Sequence, residues 1–234
     1  MLFRSGRSPP SLSGHAFPLT PPTGVDNALQ FTMVSSNGTR YTANAWQNPD
    51  LFFALRGGGG GTYGVVTSVT YQTHPNLPLI AAVLAVSTDS PTPSAPLRSL
   101  FSTLVAMHPN LSDAGWGGSA ALTAGAGTGN LVLSAMYVLV NGTSANANAS
   151  IGPLFEQARA LAGASRRGES LTVQEAFTTP VDSFFTWYST FFPDIADSGT
   201  SGALGSWLIP RDVLQKDPTH VAQTILPFTE LTVV

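Results

Sequence analysis

Hydrophobic and polar positions alternate over two short stretches near the start of the chain. From Ala28 onward, apolar side chains alternate with polar neighbours, and Arg40–Ala43 returns with the same period. Between them lies Asn37-Gly38, a dipeptide typical of tight hairpin turns in which both central residues take positive φ. The pattern predicts a β-hairpin over residues 28–43. Residues 1–24 are rich in Pro, Ser and Gly and show no period, which predicts a loose arm.

A short helix is predicted to follow the hairpin. In Asn48-Pro49-Asp50, the Asn can cap a helix, Pro suits the first helical position and Asp favours the positive end of the helix dipole. The predicted helix, Pro49–Leu55, ends at the glycine run Gly57–Gly61. The alternation and β-branching of Val65–Thr73 then predict a strand, which two prolines close.

The pattern from Leu79 onward predicts a second unit that mixes strands and helices. The stretch Phe177–Pro193 is predicted to be an aromatic loop. The predicted strands are Ala81–Ser87, Trp116–Thr123, Leu131–Val140 and Gly202–Ile209, and the predicted helices are Pro96–Met107, Ala145–Ala162 and one that starts at Pro210. The chain is therefore expected to be α+β, with one domain over residues 1–78 and another over residues 79–234.

The charge content argues against nucleic acid as a partner. Only 10% of the 234 residues are charged, against about 25% in typical globular domains, and the net charge is −3. Lys216 is the single lysine. Such a chain has no basic field to hold a phosphate backbone.

Other functional classes are excluded or disfavoured by residue content. The chain has no cysteine, which excludes a thiol nucleophile, an iron–sulfur site and any disulfide. Its four histidines are scattered, without the spacing of metal ligands, so no metal site is expected. The longest apolar runs fall short of the roughly 20 residues that a membrane-spanning helix needs, so no membrane partner is expected. The oligomeric state is left open.

Four glycosylation sequons predict a secreted glycoprotein. Each is an Asn-x-Ser/Thr triplet, and they begin at Asn37, Asn110, Asn141 and Asn148. No signal peptide is visible after Met1, so the secretory interpretation implies that the native N-terminus lies upstream of this sequence.

The glycine run is the most informative stretch of the chain. Five successive glycines cost backbone entropy and add nothing to a core, so they indicate a place where a ligand or another backbone comes close. The Gly-Lys-Ser/Thr ending of a P-loop is absent. Gly59, Gly61 and Gly64 have the spacing of a dinucleotide fingerprint, but here a helix precedes and a strand follows, which inverts that motif's context. A flexible turn between helix and strand remains the structural alternative.

The residues on both sides of the run resemble one family closely. From Asn48 through the glycines to Thr70, the sequence resembles the PCMH-type FAD-binding domain of the vanillyl-alcohol oxidase superfamily, in its berberine-bridge-enzyme-like, fungal branch. Further stretches are similar to other parts of that family, namely Gly14-His15, Gly24–Asn27, Trp187-Tyr188 and Gly205–Arg211.

This resemblance implies a FAD-dependent oxidoreductase. In the family, FAD lies extended between two α+β subdomains, and the glycine stretch approaches its adenosine and pyrophosphate through backbone atoms. The Gly14-His15 loop would lie nearer the isoalloxazine. The implied cofactor-binding residues are thus Gly14, His15, Gly60, Gly61, Thr62, Gly64, Val65 and Val66. Residues 1–78 would be the C-terminal part of the FAD-binding domain, and residues 79–234 an incomplete substrate-binding domain with an antiparallel sheet flanked by helices.

The resemblance also implies the kind of reaction. The flavin would take a hydride from a small alcohol, sugar or alkaloid-like substrate, with dioxygen as acceptor, and Trp187 and Tyr188 would contact that substrate. No catalytic base is assigned. The family's loop with a flavin-bound histidine and its C-terminal tyrosine/asparagine motif are not found, so the chain is expected to be truncated at both ends.

Two alternatives of other classes remain open at this point. The chain could be a truncated, non-catalytic remnant of such an enzyme. It could also be a secreted carbohydrate-binding module that uses exposed aromatic side chains. Binding of FAD, rather than of an oligosaccharide, separates the first interpretation from these two.

Overall fold

The computed structural model describes residues 26–58, 61–124, 130–164, 170–191, 208–227 and 231–233. The chain divides between Pro75 and Asn76 into two compact units. The first unit contains strands β1 (Ala28–Val34), β2 (Arg40–Asn44) and β3 (Val65–Tyr71) and helix α1 (Pro49–Gly58). Together with the second unit described below, these elements confirm the predicted α+β class. The assignment of the two units to FAD-binding and substrate-binding domains stays a prediction.

The first unit is a three-stranded antiparallel sheet, in the order β2-β1-β3, with α1 packed on one face. Two α1 residues one turn apart, Phe52 and Leu55, are buried against Phe31 and Met33 of β1. The rings of Phe31 and Phe52 lie 5.9 Å apart. The small core of this unit therefore lies between α1 and the sheet.

The predicted hairpin is confirmed, but its turn differs from the prediction. Gly38 takes φ 83°, whereas Asn37 does not take a positive φ. The Ser35 N–H donates to the Thr39 carbonyl and the Gly38 N–H to the Ser35 carbonyl, at 2.9 and 3.0 Å. This is a type I turn followed by a glycine bulge. The side-chain oxygen of Asn37 accepts from the Thr39 N–H at 2.9 Å, which stabilises this turn.

Helix α1 starts where predicted and ends three residues later than predicted, at Gly58. The prediction that it stops at Leu55 is wrong, because the first two glycines of the run continue the helix. Asn48 takes φ 50° at its start, and its carbonyl accepts from the Phe52 N–H at 3.0 Å. The Asn48 side-chain amide donates to the Thr42 carbonyl at 2.8 Å, which ties the helix start to β2.

The second unit is built on a five-stranded antiparallel sheet in the order β7-β4-β6-β5-β8. Helices α2, α3 and α6 pack on one face of it and form the main core. Its elements are β4 (Leu79–Thr88), α2 (Ala95–Asp113), β5 (Trp116–Ala124), β6 (Leu131–Val140), α3 (Ser144–Gly163), β7 (Leu171–Val181), α4 (Phe184–Phe191), α5 (Arg211–Lys216), α6 (Pro218–Ile225) and β8 (Leu231–Val233).

The predicted aromatic loop over Phe177–Pro193 is wrong in its described part. Phe177 lies in β7, and Phe184–Phe191 form helix α4. The Ser183 hydroxyl oxygen accepts from the Thr186 N–H at 3.1 Å, which is a helix N-cap. Residues 192 and 193 lie outside the described part of the chain.

The predicted strand Gly202–Ile209 is wrong where it can be compared with the structure. Leu208 and Ile209 belong to no strand, and Leu208 is 97% exposed. The outer edge of β5 pairs instead with Leu231–Val233, the short strand β8. Residues 202–207 lie outside the described ranges. The helix predicted to start at Pro210 is confirmed as α5.

None of the helices in the described part of the chain is at once long and apolar enough to cross a membrane.

Candidate cofactor-binding site

The glycine run leaves the end of α1 and leads into β3. The Thr62 hydroxyl donates to the carbonyl oxygen of Gly58, one of the carbonyls that a helix end leaves without a partner in the helix. The ring of Tyr63 lies against Gly58, so close that a Cβ there would sit 2.8 Å from the ring. Thr62 and Tyr63, directly after the run, therefore fold back on Gly58, the last residue of α1.

Gly61, in the run, and Gly64, three residues after it, have different reasons to be glycine. Gly64 takes φ 148°, and a Cβ there would lie 2.4 Å from the Val34 carbonyl oxygen and 2.5 Å from the Met33 methyl group. Packing against β1 alone therefore requires Gly64. At Gly61 the φ angle is not in the positive region, and a Cβ would meet no atom within 4 Å. Gly61 thus faces open space in which a ligand can approach the backbone.

The two valines after the run differ in exposure. Val65 is 69% exposed, although it pairs with Val34 at the start of β3. Val66 is half-buried and packs against the core of the first unit. Val65 therefore presents an apolar surface beside the run, whereas the side chain of Val66 is used largely by the fold.

Of the eight predicted cofactor-binding residues, the structure brings Gly61, Thr62, Gly64, Val65 and Val66 together in one loop and strand. Gly14, His15 and Gly60 lie outside the described residues. An open glycine, an exposed valine and a run of backbone amides fit the requirement that a dinucleotide's phosphates and adenine come close to the chain.

An ion pair at the end of α1 was not found by sequence reasoning. The guanidinium of Arg56 lies 2.8 Å from the carboxylate of Asp26, and 5.3 Å from the centre of the Phe52 ring. Asp26 and Arg56 are 30 positions apart, so no local pattern connects them. The only signal was indirect, because both residues lie in stretches that resemble the same family.

The residue after Asp26 ties the same segment to the end of β3. The Asn27 carbonyl accepts from the Gln72 N–H at 2.8 Å. The Asn27 side-chain oxygen lies 2.8 Å from Nε2 of His74. Residues 26 and 27 thus contact the C-terminal ends of both elements that flank the glycine run.

The predicted substrate-binding pair lies on α4 and differs strongly in exposure. Trp187 is 2% exposed, whereas Tyr188 is half-buried. Phe184, 47% exposed, stacks on Tyr188 with ring centres 6.3 Å apart, and its ring lies 5.3 Å from that of Trp187. The role of Trp187 and Tyr188 in substrate binding stays a prediction.

A histidine and a tyrosine form a polar pair inside the second unit. Nε2 of His108, on α2, lies 2.7 Å from the hydroxyl oxygen of Tyr137, on β6. Burial lowers the pKa of His108 to about 4 and raises the pKa of Tyr137. Sequence reasoning missed this pair, because each residue occupies an ordinary position of its element and the two are far apart along the chain.

A second ion pair fixes the start of α5 to the end of α2. The Arg211 guanidinium contacts both carboxylate oxygens of Asp113, at 2.7 Å for Nη1–Oδ1. This hydrogen bonding holds the pKa of Asp113 below its ordinary value. Within the described ranges, no three or more His, Asp or Glu residues are grouped as metal ligands would be.

Comparison with known proteins finds relatives of the chain among named oxidoreductases. No protein-family profile matches the chain. An uncharacterised FAD-linked oxidoreductase of Arthroderma benhamiae is 32% identical over 211 residues, which are 86% of this chain and 34% of that protein. The FAD-linked oxidoreductase penH of Penicillium thymicola is 42% identical over 92 residues, 39% of this chain and 15% of that protein.

The solved structure of the VAO-type flavoprotein MtVAO615 from Myceliophthora thermophila superposes with a TM-score of 0.58. The two proteins are 20% identical, and the match covers 87% of this chain and 35% of that one. The fold is therefore that of the VAO-type flavoproteins. The chain is related in sequence to proteins named FAD-linked oxidoreductases and has the fold of a VAO-type flavoprotein, which agrees with the family that the Asn48–Thr70 stretch predicts. It spans about a third of the length of these relatives or less.

Proposed function

We propose that the chain is part of an oxidoreductase that binds FAD and oxidises a small organic substrate. The observation that carries the proposal is the glycine run between α1 and β3, with the open backbone at Gly61 and the exposed Val65 beside it. The relationship to proteins named FAD-linked oxidoreductases supports it.

In this proposal, the residues of the run and those of the segment that follows it have separate roles. The backbone at Gly60 and Gly61 comes close to the pyrophosphate, since glycine leaves its N–H groups accessible to an anion. Thr62 holds the loop closed on Gly58. Val65 offers an apolar surface to the adenine, while Gly64 and Val66 hold the loop onto β1. The Gly14-His15 loop would lie nearer the isoalloxazine.

The substrate is proposed to be a small alcohol, a sugar or an alkaloid-like compound, with dioxygen as the acceptor of electrons. Bound FAD supplies the hydride acceptor, and the protein holds and orients both partners. On α4, the exposed Phe184 and half-buried Tyr188 are available to contact a substrate. Trp187 is buried, so its contribution would be to hold these two rings in place.

Secretion and glycosylation are also part of the proposal. The four sequon asparagines are exposed, with Asn37 at the hairpin tip and Asn141 in the turn after β6. Mass spectrometry of the protein expressed in a secreting fungal host should find glycan on at least Asn37. Unmodified peptides at all four sites in secreted material would contradict the glycoprotein proposal.

Titration of the 234-residue chain with FAD, followed by flavin fluorescence and calorimetry, tests the proposed function. The matched variants are Gly61→Ala and Gly163→Ala, because a Cβ meets no atom within 4 Å at either position. We expect G61A to weaken FAD binding by about tenfold, or 1.4 kcal/mol, since its methyl group occupies the approach to the backbone. G163A should bind as the wild type does.

Saturable binding by the wild type and by G163A, weakened in G61A, supports the proposal. Reduction of a redox dye by the FAD-loaded chain with an alcohol or oligosaccharide would extend it to activity. Absence of FAD binding by a folded wild type would contradict the proposal that this chain forms the adenosine and pyrophosphate part of the site.

A further inference from the structure

We propose that Asp26 is a positioning residue for the glycine run, a role that rests on the proposed FAD-binding function. Its ion pair with Arg56 holds the C-terminal end of α1 and so fixes where the run presents its backbone to the pyrophosphate and adenosine of the dinucleotide. Asp26 itself would not touch the ligand.

The ion pair is anchored in the core of the first unit. The Arg56 guanidinium bonds Asp26 at 2.8 Å and lies over the ring of Phe52, a buried residue that packs on Phe31. The side chains of Arg56 and Asp26 are 31% and 45% exposed, so water screens the pair only partly. These contacts restrict the direction of the Arg56 side chain, whereas a fully exposed arginine would be free to rotate.

The end of α1 needs such a restraint. Its last two residues are Gly57 and Gly58, and glycine destabilises a helix by about 1 kcal/mol per residue relative to alanine. Neither Gly57 nor Gly61 has a neighbour that a Cβ would touch, so side-chain packing does not hold the run at these positions. Arg56 is the last side chain before the glycines, so its contacts restrain the run from the helix side, whereas Thr62 and Tyr63 contact Gly58 from the strand side.

Asp26 is itself held in place by its neighbour. The Asn27 carbonyl accepts from the Gln72 N–H, and the Asn27 side chain contacts His74, just beyond the end of β3. Residues 26 and 27 therefore connect the end of α1 with the end of β3. The run enters β3 at the opposite end of that strand, at Val65, so this connection fixes Asp26, and through it the Arg56 side chain, to the sheet.

A direct role for Arg56 as a phosphate ligand gives a different result from the positioning role. If Arg56 bonded a phosphate, its removal would weaken FAD binding far more than the removal of Asp26, which would leave the cation in place. If the pair acts as a unit, the two single variants and the double variant D26N/R56Q should have the same effect, and the exchanged pair D26R/R56D should restore binding.

The experiment compares these variants with D113N, which breaks the other aspartate–arginine pair of the described chain at α2 and α5. Amide hydrogen exchange of residues 57–64 is measured without ligand, and affinities are measured for FAD, ADP and riboflavin. We expect D26N and R56Q each to speed exchange in the run and to weaken FAD and ADP binding by up to about fivefold, the factor for a partly exposed ion pair. Riboflavin lacks the pyrophosphate and the adenosine, so its affinity should be the same for the wild type and these variants.

The outcomes separate this inference from the proposed function. A wild type that binds neither FAD nor ADP overturns the proposed function. The positioning role alone is overturned if the wild type binds FAD and D26N equals D113N in two measurements. These are the hydrogen exchange of the run and the affinity for FAD. The positioning role is also overturned if only R56Q loses affinity for FAD, because that result indicates that Arg56 binds the ligand directly.

Discussion

His108 and Tyr137 are paired inside the second unit, with Nε2 of the imidazole 2.7 Å from the phenol oxygen and the two rings nearly perpendicular, at 84°. One residue comes from helix α2 and the other from strand β6, so the bond links the helical layer to the sheet. Tyr137 is buried and His108 is largely shielded from water, so each group favours its neutral form, and the pair is held together without a charge.

The first prediction concerns stability in acid. The pKa of His108 is about 4 in the folded protein against an ordinary value of 6.5, so the unfolded chain takes up the proton first. The free energy of unfolding should therefore be unaffected by His108 above about pH 6.5 and fall between pH 6.5 and 4. A difference of about 2.5 pKa units at 1.36 kcal/mol each corresponds to roughly 3 kcal/mol.

Urea unfolding of the wild type and of His108→Gln at pH 7, 6, 5 and 4 measures this effect. The variant should lose the part of the pH dependence that His108 causes, while the exposed His220 serves as a control through His220→Gln. Equal slopes for the wild type and H108Q between pH 6.5 and 4 would contradict the burial of a neutral His108.

The second prediction concerns the partner of His108. Tyr137→Phe removes the hydroxyl and keeps the ring, so it leaves a buried imidazole nitrogen without its hydrogen bond, at a cost of about 1–3 kcal/mol. Thermal and urea unfolding at pH 7 measure the loss. In the double variant H108Q/Y137F the two effects should not add, since both remove the same bond, and full additivity would show that the pair is not coupled.

The third prediction concerns the glycine beside Tyr137. Gly118 of β5 pairs with Tyr137 across the sheet, and a Cβ there would lie 2.1 Å from the Met136 carbonyl oxygen and 2.8 Å from the Tyr137 ring. Gly118→Ala should destabilise the second unit by about 1–3 kcal/mol or prevent its folding, because backbone atoms cannot give way cheaply.

Gly163→Ala is the matched control for Gly118→Ala. Gly163 is the last residue of α3, with no atom near the position of a Cβ, so alanine should leave the free energy of unfolding unchanged or raise it by up to about 1 kcal/mol. If both variants change stability by the same amount and sign, close packing at Gly118 is not the reason for its glycine.

The fourth prediction compares two glycines, one required by packing (Gly64, after the run) and one with open space around it (Gly61, in the run). Gly64→Ala should destabilise the first unit by about 1–3 kcal/mol, because φ 148° is strained for alanine and its Cβ would collide with β1. Gly61→Ala should leave the unfolding transition unchanged. Unfolding by heat, followed for both variants without ligand, checks this, and equal melting temperatures for G64A and the wild type would contradict it.

The first unit shows which features a sequence can predict. The alternation of apolar and polar residues predicts β1 and β2, and Asn48-Pro49-Asp50 predicts the start of α1. Each of these signals lies within a few residues of sequence. The end of α1 was misjudged, because glycine's low helix propensity was outweighed by contacts to residues far along the chain, such as the pair of Arg56 with Asp26. Such long-range contacts leave no local pattern.

The second unit shows how a present signal can be missed. The run Phe184–Phe191 is so aromatic that it was predicted as a loop, yet Phe184, Trp187 and Tyr188 have the i, i+3, i+4 spacing of a helix face. Ser183 before it supplies the cap. Of the site itself, the sequence could indicate the run and its flanking valines, but only coordinates distinguish the open Gly61 from the packed Gly64.

The last prediction concerns the aromatic side chains of α4. Trp187 is buried and lies against Phe184, so Trp187→Ala should lower the free energy of unfolding by about 3–5 kcal/mol, the range for a buried aromatic side chain. Phe185, on the same helix, is 75% exposed, so Phe185→Ala should change stability by less than about 0.5 kcal/mol, as surface changes usually do. Thermal unfolding of both variants gives the comparison. If W187A and F185A melt at the same temperature, Trp187 does not hold α4 in place.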